Sequence, residues 1–161
     1  MACPEQPSAA LRPALALALR VTRRGSGAVL LLHLSGSLLA PLAREFRPQL
    51  VLVSAGFDTH YDDPIGGMRL TERGYRYLAD TLLGIADAAC KGKIVFVLEG
   101  GYDLGALRTS VKAVLETLLD GMPQEIRAKV EQGIRDTSAA PDIVAAVRDV
   151  QEPFWKCLRD V

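Results

Sequence analysis

The chain has 161 residues, 49% of them apolar and 24% charged, with a formal net charge of zero. That length and balance suit a soluble globular protein with one substantial core. Zero net charge offers nothing global to attract nucleic acid or an anionic membrane, so neither is expected as a partner.

Cys3, Cys90 and Cys157 lie far apart and form no CxxC pair, which argues against a cysteine zinc site and for reduced thiols. A membrane helix needs roughly 18–20 uninterrupted apolar residues. The nearest run, GAVLLLHLSGSLLAPLA, is broken by His33, Ser35, Gly36 and Ser37. Glu5 is the first charged side chain, so the N-terminus lacks the basic start of a secretory signal, and a cytoplasmic location is expected.

Residues 1–40 differ from the rest. They hold Arg12, Arg20, Arg23 and Arg24 against the single acid Glu5, and no Lys, Asp, Phe, Tyr or Trp. Residues 41–161 carry 15 basic and 18 acidic side chains and every aromatic one, from Phe46 to Trp155. Alternation such as ALALALRV fits strand or helix, and periodicity does not decide between them. A soft boundary falls near Leu39–Pro41, with no repeat and no Gly/Ser linker.

Beyond it the order is clearer. PQLVLVSAG is a short apolar run ending at Gly56, as for a strand buried on both faces. Thr71 is a candidate N-cap for a helix from Glu72, with Tyr75, Leu78, Leu82, Ile85 and Ala89 at helical spacing and Gly92 as its stop. KIVFVLEGG reads as a second buried strand ending at Gly100 and Gly101. Asp103 can cap a helix whose Leu104, Leu107, Val111, Val114 and Leu118 share a face, with Gly121 as its end. Pro123 and Pro141 can each open a further helix.

The expected fold class is therefore α/β: a parallel sheet flanked by helices. In such sheets ligands bind at the carboxyl ends of the strands. That edge would bring together two loops, SAGFDTHYDDPIGG at residues 54–67 and EGGYD at residues 99–103.

Asp58 in the first loop can coordinate a metal, act as a general base or close a turn. His60 makes a D-x-H pair with it, but two ligands do not make a zinc site. Asp62 and Asp63 precede Pro64 and read as solvated turn residues. In the second loop, Tyr102 follows two glycines that allow close backbone approach. Its phenol can donate to a substrate carbonyl and its oxyanion, or simply cap the core. Glu99 can accept from a site group or from loop amides. GGYDLG is not a dinucleotide fingerprint, since Tyr102 stands where glycine is needed, and no G-K-[ST] phosphate loop is present.

Together, LVLVSAGFDTHYDDPIGGMRLTERGY and IVFVLEGGYDLGAL resemble the histone deacetylase family, which includes acetylpolyamine amidohydrolases and acetoin-utilisation proteins. The likeness is to bacterial and class II-type members, and it covers Pro41 to Gly121. It extends to VRDVQEPFWKCL, which resembles a closing helix of bacterial members. The resemblance implies part of an arginase/deacetylase-like fold and a zinc-dependent amidohydrolase acting on acetyl-lysine or acetylated polyamines. By it, Asp58 would be a Zn2+ ligand and Tyr102 the residue polarising the acyl carbonyl. Gly56, Gly100 and Gly101 would shape the loops, and His60 would match a family position that does not bind metal.

The departures carry equal weight. The family's tandem histidines and a separate D-x-H lie upstream of these motifs, whereas this chain has only His33 and His60. It therefore resembles the C-terminal part of a deacetylase domain, expected to be inactive alone. Residues 1–40 do not resemble the segment expected there; a shifted reading frame or a wrongly chosen start would account for the break. A truncated, non-catalytic binding or regulatory module is the alternative. An incomplete sheet would leave an unpaired edge or apolar face open to self-association.

Overall fold

The computed structural model describes residues 27–136 and 140–159. Cys3, Arg12, Arg20, Arg23, Arg24 and the ALALALRV alternation lie outside the described residues.

The described chain begins with a helical rod: α1 (Gly27–Leu34), a π turn (Ser35–Leu39) and α2 (Ala40–Phe46). Leu34, Leu39 and Ala40 all keep right-handed helical dihedrals, so the axis continues through the wide turn. The buried Ser35 hydroxyl donates to the Leu32 carbonyl at 2.8 Å. Leu39–Pro41, where composition changes, lies inside this rod. Arg47 ends it in the left-handed conformation, its N–H donating to the Ala43 carbonyl.

Strand β1 (Val51–Ala55) leads through the first loop into α3 (Glu72–Cys90), then β2 (Ile94–Leu98) and α4 (Leu104–Asp120). These bounds match the helical and apolar spacing of the sequence. Thr71 occupies the N-cap position of α3, but its side chain makes no capping bond. Lys91 and Gly92 both turn left-handed to end α3. Asp103 caps α4 by accepting from the Ala106 N–H at 2.7 Å. Helices α5 (Gln124–Arg135) and α6 (Ala140–Gln151) and a 3-10 turn (Lys156–Leu158) follow.

The two strands pair in parallel, Val51 opposite Ile94 through Ala55 opposite Leu98. The main core joins Leu32 to Phe57, Leu70, Tyr75, Ala79 and Val114, with Phe96 packed against it. A second cluster, Leu38, Val144 and Leu158, ties the rod to α6 and the 3-10 turn. Ion pairs Arg76–Glu116 and Arg127–Asp80 link α3 to α4 and to α5.

One expectation is corrected here. The strands are covered on one face only: Val53 and Phe96 are partly buried, while Leu52 is 69% and Val97 53% exposed. The continuous apolar run promised two covered faces. The described residues supply two strands and cover one side of them, so the residues at alternate positions are left facing water.

Candidate active site

Parallel pairing sends both site loops out from the same edge. The Glu99 N–H donates to the Ala55 carbonyl at 3.1 Å, and the Phe57 N–H to the Gly100 carbonyl at 2.8 Å. Strand-like pairing thus continues past both strands and locks the two loops side by side.

Asp58 comes next. A β carbon at Gly100 would lie 2.7 Å from its Oδ2, and one at Gly56 would lie 3.0 Å from its Oδ1. The carboxylate therefore fills the space that these two residues leave vacant. Gly101, at φ 134°, packs beside Phe57 and Leu107 and turns the second loop toward Tyr102. Tyr102 itself is 57% exposed at the rim of this edge. Glu99, earlier in the same loop, is exposed as well.

His60 lies beneath the first loop, only 1% exposed, its ring 4.6 Å from that of Tyr61 and 6.3 Å from the parallel ring of Tyr75. Its Nδ1 accepts from the Asp62 N–H at 3.2 Å, and its Nε2 stands 3.6 Å from Glu72 Oε1. The Glu72 carboxyl is held below the usual carboxylate range, first by its own backbone N–H and also by the Thr109 hydroxyl, against the opposing effect of burial. His33 sits in α1, away from both loops in sequence.

The aromatic floor is hydrogen-bonded. The Tyr75 hydroxyl donates to the Phe57 carbonyl at 3.1 Å and accepts from the Thr59 hydroxyl at 2.7 Å. Burial raises its pKa to about 12, partly offset by the Thr59 bond.

Asp63 is the residue that sequence reasoning missed. Asp62 is exposed as expected, but Asp63 is 6% exposed and bridges the loops. Its Oδ1 accepts from Ile65 and Gly66 N–H groups at 2.9 and 3.3 Å. Its Oδ2 accepts from Tyr102 and Asp103 N–H groups at 2.7 and 3.3 Å. Burial alone would raise this carboxyl's pKa, but the four amide donors outweigh it and hold it below the ordinary value. The D-P-x-G pattern signals the local half of this arrangement. Nothing local signals partners 39 and 40 residues away.

A catalytic zinc takes three protein ligands and a water. Among the described residues no three His, Cys, Asp or Glu side chains gather into a metal-holding group. Asp58 offers one carboxylate, while the buried His60 ring accepts from Asp62 through Nδ1 and directs Nε2 toward Glu72. The described residues therefore do not complete a zinc site.

Comparison with known proteins gives the loops a lineage. The Histone deacetylase domain family matches residues 15–118. The chain is 38% identical over 122 residues to the histone deacetylase clr3 of Schizosaccharomyces pombe, covering 74% of this chain and 16% of that protein. It is 39% identical over 122 residues to the polyamine deacetylase HDAC10 of Mus musculus, covering 75% of this chain and 17% of that one. Among solved structures, that of the histone deacetylase Clr3 superposes with a TM-score of 0.72 at 31% identity, over 85% of this chain and 22% of that one. The HDA15 HD domain gives 0.67 at 30% identity, over 84% of this chain and 34% of that one. The chain thus spans about a sixth of these curated relatives, and the fold it shares with them is part of the arginase/deacetylase-like architecture. With the two loops at one sheet edge and the match spanning most of the described residues, the chain belongs to the histone deacetylase family.

Proposed function

We propose that this chain contributes the carbonyl-activating side of a zinc-dependent amidohydrolase site that removes acetyl groups from acetyl-lysine or acetylated polyamines in the cytoplasm. Tyr102 is the catalytic residue: its phenol donates to the acyl oxygen and to the oxyanion that forms from it. Asp58 is one zinc ligand. Gly56 and Gly100 bring backbone close to it, Gly101 turns the second loop toward Tyr102, and His60 supports the loop from below. The observation that carries this reading is the Phe57–Gly100 backbone bond of 2.8 Å, which holds the Asp58 and Tyr102 loops together.

The remaining zinc ligands and the general base come from outside this chain, since His33 and His60 are its only histidines. Loss of a general base costs roughly 10²–10⁴ in rate, so the chain alone has little or no turnover. The histidine-bearing part of a deacetylase domain supplies the missing ligands and base, and without it the bare sheet side favours self-association. A shifted reading frame or a wrongly chosen start as the origin of residues 1–40 is tested by sequencing the encoding DNA upstream; absence of histidine motifs in every frame disposes of it.

Zinc analysis after dialysis and an acetyl-lysine peptide assay test the main reading. The isolated chain should hold less than stoichiometric zinc and turn over no peptide. Mixing with the N-terminal part of a deacetylase domain should restore turnover, and Tyr102→Phe should remove it. Stoichiometric zinc with efficient turnover by the chain alone would overturn its incompleteness. A complemented assembly indifferent to Tyr102→Phe would overturn the catalytic role.

That His33 and His60 are the chain's two histidines, neither in a tandem-histidine or metal-binding D-x-H motif, favours a second reading for the isolated chain, a non-catalytic module that pairs with a full-length homologue. In that case the homologue's activity changes on binding, and Tyr102→Phe leaves the change intact.

A further inference from the structure

We propose that Asp63 is the positioning residue of this site, a single buried carboxylate that fixes the Asp58 turn and the Tyr102 loop relative to each other. The catalytic consequence rests on the deacetylase-type reading above; the mechanical role does not.

The two oxygens divide the work. Oδ1 holds the Ile65 and Gly66 amides. Gly66 is pressed onto the Asp58 main chain so closely that a β carbon there would fall 1.5 Å from the Asp58 carbonyl oxygen. Oδ2 holds the Tyr102 and Asp103 amides. Asp103 in turn accepts from the Ala106 N–H at the start of α4. A continuous path therefore runs from the Asp58 backbone through Gly66 and Asp63 to Tyr102 and the α4 terminus.

A turn-forming aspartate needs only the first pair of these bonds. The second pair, to residues about 40 positions on, has no part in closing that turn. Burying a carboxylate is unfavourable unless its oxygens are hydrogen-bonded. Here every donor is a backbone N–H, which cannot swing away as a side chain can. Both oxygens are engaged by main chain, so Asp63 acts on substrate only through Tyr102. Its loss should lower kcat while leaving KM little changed, because the phenol is needed most where charge develops.

The test uses the full chain with labelled backbone amides and 3-fluorotyrosine. In Asp63→Asn, the Tyr102 and Asp103 amides should exchange about tenfold faster or more, while the amides of β1 and β2 hold their protection. The Tyr102 fluorine line, assigned with Tyr102→Phe, should move while those of Tyr75 and Tyr77 stay. Faster exchange confined to Ile65 and Gly66 would reduce Asp63 to a local turn residue and overturn the proposal. Movement of all tyrosine lines together would make it general fold support and overturn it equally. If Asp63→Asn does not fold, Asp63→Glu keeps the charge and lengthens the link by one methylene; an unmoved Tyr102 line there overturns the proposal. In the complemented assembly, Asp63→Asn should lower kcat about tenfold, a loss of the size expected for one weakened interaction at the reacting oxygen. A change in KM alone would overturn the catalytic consequence. Absence of turnover even with Asp63 intact would instead count against the deacetylase-type reading, leaving the fluorine and exchange results to decide the positioning role.

Discussion

Gly100 stands against Asp58: a β carbon at Gly100 would reach within 2.7 Å of the Asp58 Oδ2. The neighbour there is the end of a side chain, which can rotate. Gly100→Ala is therefore expected to leave the melting temperature nearly unchanged but to turn the carboxylate. In the complemented assembly, zinc retention after dialysis should drop. Unchanged zinc retention would show that Asp58 does not depend on this gap.

Gly66 meets the same residue differently. Its absent β carbon would fall on the Asp58 carbonyl, which is backbone and cannot yield without moving the loop. Gly66→Ala should destabilise the chain by about 1–3 kcal/mol, the usual cost of overpacking. Thermal unfolding followed by circular dichroism measures this, and an unchanged midpoint would contradict the close packing.

Tyr75→Phe removes the hydroxyl that joins Phe57 and Thr59. A lost buried bond costs about 1–3 kcal/mol when its partner is left unsatisfied. Because burial raises the Tyr75 pKa to about 12, its stabilising effect is fully present below pH ~10, the unfolded value, and is lost as pH rises through 12. Denaturant unfolding at pH 8 and pH 11 should show a smaller difference between the unmodified chain and the Tyr75→Phe variant at the higher pH.

Asp63 gives the opposite dependence. Its folded pKa lies below the ordinary carboxylate value, so its contribution is present above pH ~4 and is lost as pH falls through the lowered folded value. Acid unfolding of Asp63→Asn should lack that part of the pH dependence. Identical acid profiles would show that the four amide bonds carry no differential stability.

The uncovered sheet side has its own expected outcome. Leu52 and Val97 stand exposed on adjacent strands at alternate positions. The chain should associate with rising concentration in sedimentation, and Leu52→Lys with Val97→Lys should suppress it. Monomeric behaviour of the unmodified chain across that range would remove the exposed side as a contact surface.

Much of this was legible in the sequence because it is local. Apolar spacing placed both strands and α3 and α4, and Asp103 and Gly121 marked the ends of α4. Three kinds of information were not. Whether a strand has one covered face depends on what packs beside it, so PQLVLVSAG read as doubly buried. Asp63 looked like its exposed neighbour Asp62 because its decisive partners are long-range amides. Thr71 is the third: its position reads as an N-cap, but its side chain makes no capping bond.

The paired strand ends, Ala55 opposite Leu98, have a consequence for length variation. An extended chain advances about 3.3 Å per residue and alternates sides at each step. One residue gained or lost between Ala55 and Asp58, or between Leu98 and Tyr102, would carry its side chain out of reach and toward the wrong side. The two exits behave as a vernier, set by the number of residues in each.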